Sequence, residues 1–102
     1  MTSRTVYHPQ GRIVTFEKGT GNKKYKVTIE HKGKVETVQF GDRRFQHYKD
    51  NTPLRLWSHL DHNDPVRRGR YRMRHSKIKL KDGTPSYEVP YTPAWFSWNY
   101  LW

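Results

Sequence analysis

Five arginines fall within eight residues, Arg67, Arg68, Arg70, Arg72 and Arg74, inside the run Asp64-Pro-Val-Arg-Arg-Gly-Arg-Tyr-Arg-Met-Arg-His75. A guanidinium is a planar fork of donors that stays charged, and it meets phosphate or carboxylate through paired hydrogen bonds. A cluster this dense repels itself unless something negative lies against it. The run therefore predicts a face that meets a polyanion or an acidic protein surface, and Lys77 and Lys79 extend the same positive stretch. The histidines raise a different chemistry. His59-Leu-Asp-His62-Asn-Asp-Pro gathers two histidines and two carboxylates, with His75 downstream. A His-Asn-His nuclease would use such a set to hold a divalent ion and activate water. Its usual framework is missing, because no cysteine pairs and no second Asn–His element follow at a suitable distance. The plainer expectation is that His62 and Asp64 cap the arginine segment and His59 packs beside Trp57, with no metal and no cofactor. Neither a glycine-rich phosphate loop nor a Gly-x-Ser-x-Gly elbow is present. Ser3, Ser58, Ser76, Ser86 and Ser97 have no base arranged beside them by sequence, so an enzyme is not expected.

The composition sets the frame for these side chains. The 102 residues suit one small domain, with 32% hydrophobic residues but 15% aromatic ones. The few apolar groups are large, and each aromatic buries roughly 150–250 Å². A net charge of +11 makes an anionic partner the default expectation. With no cysteine there is no disulfide framework and no thiolate metal site. No apolar run is long enough to span a bilayer, and an intracellular or particle-borne protein is expected.

The elements that must hold the arginines are predicted as an α+β arrangement. Residues 1–11 are expected to be a flexible or docking arm. Residues 12–40 are expected to be a three-stranded antiparallel β-meander, Arg12–Glu17, Lys23–His31 and Lys34–Phe40, joined at Gly19–Asn22 and Lys32-Gly33. A two-residue second turn puts Val27 opposite Val38 and Tyr25 opposite Phe40. A four-residue first turn puts Val14 opposite Val27 and Phe16 opposite Tyr25. Both registers place Val14, Phe16, Tyr25, Val27, Val38 and Phe40 on one face, which needs a cover.

Residues 42–82 form the helical and basic region. Gly41 is expected to break the third strand and Asp42 to cap a helix over Arg43–Asp50. A second helix is expected over Pro53–Asp61, with Thr52 as cap, and these two short helices are the predicted cover for the sheet. Asp64-Pro65 starts the arginine-rich helix, Pro65–His75, with Val66 and Met73 sharing one face. Arg68–His75 also alternates as a strand would, so that assignment stays open, and Ser76–Lys81 reads as a strand before a turn at Asp82-Gly83. Residues 83–102 form a Pro- and aromatic-rich tail. Trp95, Trp98 and Trp102 recur at helical spacing. With Phe96 they form an aromatic docking set, either folded onto the chain's own core or inserted into a neighbour.

Several of these residues carry a resemblance. Phe40-Gly-Asp, Phe45, Tyr48-Lys-Asp50, His62-Asn-Asp-Pro-Val-Arg-Arg, Tyr71, Arg74-His75, Trp95-Phe-Ser-Trp and Leu101-Trp102 resemble a family of small basic proteins of giant viruses, the nucleocytoplasmic large DNA viruses. The likeness covers roughly residues 23–102, and the insertion-like Thr52–His59 segment departs from it. It implies no catalytic residues. It implies a virion protein, a minor capsid or cement component whose arginines meet other capsid proteins or the encapsidated genome, made inside the host cell. The alternative is a nucleic-acid-binding protein, with phosphates of DNA or RNA on the same arginines.

Overall fold

The computed structural model describes residues 3–102. The predicted meander is present, and a fourth strand joins it. β1 (Ser3–His8), β2 (Arg12–Lys18), β3 (Lys23–His31) and β4 (Lys34–Asp42) pair antiparallel in the order β1-β2-β3-β4. The expected N-terminal arm is therefore an edge strand, turned back through Pro9–Gly11, with Met1 and Thr2 outside the described residues. β1 escapes a periodicity reading because Val6 is its single half-buried apolar residue.

The second hairpin has the expected register, Val27 opposite Val38 and Tyr25 opposite Phe40. The first differs. Phe16 pairs with Val27 and Val14 with Ile29, two residues away from the expected partners. A shift of two leaves every side chain on its predicted face, because strand side chains alternate with period two. Its cause lies in the turn. The Gly19 amide donates to the Lys24 carbonyl at 2.9 Å, and a Cβ on Gly19 would lie 2.3 Å from the Lys23 oxygen. The chain passes so close there that only glycine fits.

The cover on the sheet comes from a different part of the chain than expected. Neither Arg43–Asp50 nor Pro53–Asp61 is helical, and only a short 3₁₀ turn forms, at Ser58–Leu60. Both caps are nevertheless made. Asp42 accepts from the Arg44 amide at 2.9 Å and Thr52 Oγ1 accepts from the Arg55 amide at 3.1 Å. Neither turn extends into a helix: after the first, Asp42 pairs with the Arg44 guanidinium, and in the second Arg55 sits at φ 49°, outside the right-handed helical region. α2 (Pro93–Tyr100) covers the sheet instead. Thr92 caps it, and Phe96 enters between Phe16 and Phe40, with ring centroids 6.1 and 5.3 Å away. Fully burying such a side chain contributes about 1.5–3 kcal/mol. Leu101 closes the same core over Gly41, which lies within β4 at φ 77° rather than ending it. The aromatic tail thus folds onto its own sheet.

Segment 43–64 is held by polar groups where a helix was expected. The Asp50 carboxylate is buried and accepts from Tyr25 Oη, Thr52 Oγ1, and the amides of Thr52 and Trp57. Side-chain bonds of this kind compete directly with helix formation. Beside it, the buried Lys24 ammonium meets His47 Nδ1. His47 Nε2 lies 2.6 Å from Asp61 Oδ1, close but off the N–H axis. Burial lowers the Lys24 pKa to about 8, against the opposing pull of Asp50 and Asp61. Backbone bonds from His62 to His47 and from Asn63 to Tyr48, both 3.0 Å, then zip the two ends of the segment together. That zipper carries Gln46, Tyr48 and His62 to the start of the arginine helix. No helix among the described residues is long and apolar enough to cross a membrane.

Candidate polyanion-docking face

The arginine run is a helix, α1 (Pro65–Ser76), and the competing strand pattern does not form. Asp64 caps it through Oδ1, accepting from the amides of Val66 at 2.9 Å and Arg67 at 3.4 Å, and Pro65 occupies the first turn. His62 Nδ1 accepts from the Asp64 amide at 3.0 Å, which fixes the cap itself. Burial, and then the Arg67 charge, lower the His62 pKa, favouring the neutral form that can accept.

A helix turns about 100° per residue, so five arginines cannot share one face. The inner face is built on Tyr71. Its ring stacks on Trp102 at 4.2 Å and 5° and on His75 at 3.9 Å and 23°. Burial raises the Tyr71 pKa to about 12. Arg68 and Arg72 flank this stack at i and i+4. Arg68 lies 4.8 Å over the Tyr48 ring and donates Nε to the Trp102 carbonyl at 2.6 Å. Arg72 lies 4.9 Å over Trp98 and donates Nε and Nη2 to the same oxygen at 3.3 and 3.0 Å. Trp98 in turn stacks on Tyr87 at 3.8 Å. These two arginines are half-buried and brace the fold, unlike the exposed arginines with which they were grouped in sequence.

Arg67, Arg70, Arg74 and Lys77 occupy the outer face at i, i+3, i+7 and i+10, and all four are exposed. The row runs about 15 Å along the helix axis. Arg67 donates to Gln46 Oε1 at 2.8 Å, a neutral partner. Among the described residues none of the four has an acidic partner within 4 Å. Arg67, Arg70 and Arg74 border a hollow of about 250 Å³ whose remaining wall is Trp102. Val66 and Met73 share the exposed side, 60% and 65% accessible, so their common face is the outer one.

Lys79 is exposed, but away from this helix. The expected strand over Ser76–Lys81 reduces to a single bridge, Lys79 with Pro85, around the Asp82-Gly83 turn. Of the aromatic set, Phe96 is fully buried, and Trp95, Trp98 and Trp102 are half-buried against the chain's own residues. The histidine–carboxylate group disperses. His59 tilts against Trp57 at 5.8 Å, His62 serves the Asp64 amide, His75 stacks on Tyr71, and Asp61 faces His47. Among the described residues no three His, Cys, Asp or Glu side chains converge as metal ligands.

Tyr48, Gln46 and Trp102 are the contributors that the sequence reading did not assign to this site. The signal for the split between arginines was available, since Tyr71 and His75 sit at i and i+4 beside Arg68 and Arg72. Compared with known protein families, curated proteins and solved structures, the chain matches none of them.

Proposed function

We propose that the protein is a non-enzymatic structural protein that fixes itself to a negatively charged partner through the outer face of α1. Its setting in this reading is a virus particle, where it acts as a minor capsid or cement component against the acidic surface of another capsid protein. The observation that carries the reading is the row Arg67, Arg70, Arg74 and Lys77, exposed and without an acidic partner among the described residues. The braced inner face supports it, because a rigid helix presents its charges in one fixed geometry and loses little entropy on docking. The viral setting is supported by the sequence resemblance over residues 23–102, which is an argument by analogy.

A second reading has its own observation. Three guanidiniums around one hollow beside Trp102 also suit a phosphate, so the same face would bind DNA or RNA. Titration with a short DNA duplex and with polyglutamate at two salt concentrations separates the readings. Nucleic acid predicts submicromolar duplex binding that weakens steeply with salt. The capsid reading predicts weak duplex binding and recovery of the protein on shells emptied of genome. Binding to neither polymer and absence from such shells would remove both.

A further inference from the structure

The register places a second set of basic side chains far from the polar segment 43–64. His8 pairs with Arg12, Ile13 with Glu30, and His31 with Lys34. Arg12 therefore lies beside His31, and His8, Arg12, His31 and Lys34 form one row across all four strands. Side chains alternate along a strand, so the row shares the face of Val14 and Val27, at the end opposite Lys24. At about 4.8 Å per strand it spans about 14 Å. Its two permanent charges, Arg12 and Lys34, lie on either side of His31, and one acid, Glu36, lines the cleft beside them.

Pro90, Tyr91 and Thr92 form the facing wall. Tyr91 is held at φ 69° and Gln10, across the cleft, at φ 65°. Left-handed backbone is uncommon for a bulky aromatic, and such strain gathers at binding sites. The Arg12 guanidinium sits 5.2 Å over the Tyr91 ring and donates to Gln10 Oε1 at 2.9 Å, so its charge meets neutral partners. His31 Nε2 donates to the Gln10 carbonyl at 3.0 Å, and His8 Nδ1 lies 3.2 Å from Tyr91 Oη. Two cavities, about 340 and 610 Å³, share Arg12, Pro90 and Tyr91. The first adds His31 and Lys34, and the second adds His8 and Trp95. Each is within the range of small-molecule sites, about 300–1,000 Å³.

One end of this cleft is cationic and the other aromatic. We infer that it binds a nucleotide, with the phosphate against Arg12, His31 and Lys34 and the planar base against Tyr91 and Trp95. The ligand is a free mononucleotide or one unit of a single strand, which share this chemistry. Calorimetric titration of the full chain with adenosine 5′-monophosphate, adenosine and inorganic phosphate tests the site. Wild type is expected to bind the monophosphate saturably, at least about tenfold tighter than either fragment. Lys34→Ala weakens that binding about tenfold, a change at an exposed residue that leaves the fold intact. Arg12→Ala does the same, whereas Arg70→Ala with Arg74→Ala leaves it unchanged. A single-stranded oligonucleotide added to that double variant assigns the source. If it competes with the monophosphate, the natural ligand is a strand, and if it does not, the ligand is the free nucleotide. Absence of saturable monophosphate binding, or binding indifferent to both Lys34→Ala and Arg12→Ala, overturns the inference.

Discussion

The two faces of α1 carry the same residue type to opposite ends. On the inner face Arg68 and Arg72 lie over the rings of Tyr48 and Trp98 and share the Trp102 carbonyl. On the outer face Arg67, Arg70 and Arg74 stand in solvent around a hollow. The difference teaches that a count of arginines overstates the charge offered to a partner. A guanidinium stacked on an aromatic ring keeps its charge but serves the fold. The aromatic richness of the tail follows the same logic, since the Trp98 ring lies under Arg72 and the Trp102 backbone oxygen accepts from both inner arginines.

The largest expected effect breaks the inner face at its centre. Tyr71→Ala removes the ring between Trp102 and His75 and should cost about 3 kcal/mol of stability, read from denaturant unfolding. A loss below about 1 kcal/mol would mean that the stack does not hold the helix. Next comes the contrast between arginines. Arg72→Ala should cost about 1–2 kcal/mol through lost stacking and lost hydrogen bonds. Arg70→Ala should stay within about 0.5 kcal/mol of wild type. Equal losses at the two positions would erase the distinction between the faces. Asp64→Ala should cost about 1 kcal/mol by removing the cap that both faces share, and Asp64→Asn much less.

The inner face was legible only in part. Alternation revealed the meander, because Tyr25, Val27 and Ile29 repeat every second residue through β3. It could not reveal the two-residue offset at the first hairpin, since that offset preserves every face. Pro65 and Asp64 announced α1 locally, and Tyr71 with His75 would have marked its buried side. Segment 43–64 was illegible for a different reason. Local rules place caps at Asp42 and Thr52, and the structure makes them. What stops the helices there includes a buried carboxylate, Asp50, whose donors include Tyr25 from the sheet, twenty-five residues away in sequence. Cover by the tail is equally non-local, because it depends on Phe96 reaching Phe16 and Phe40.

A smaller and graded effect comes from acid. His8, His47, His62 and His75 all have pKa values lowered first by burial. Each therefore stabilises the fold fully above its unfolded value near 6.5, and that contribution fades as pH falls toward the folded value. Denaturant midpoints should drop progressively below pH 6.5. In His75→Phe the drop should be shallower, since the inner face then keeps its stacked ring and loses its titration. A midpoint that is flat from pH 7 to pH 5 would contradict this assignment of neutral histidines.

The most direct measurement compares two charge-matched variants for binding to a short DNA duplex and to polyglutamate. Arg70→Ala with Arg74→Ala removes two charges from the outer face of α1, and Arg4→Ala with Lys18→Ala removes two exposed charges from the sheet. If the docking face is where the geometry puts it, the first variant loses at least about tenfold in affinity, and its salt slope on DNA falls by about 2. The second stays close to wild type. Equal weakening of both variants would mean that net charge alone drives binding, and would contradict the account.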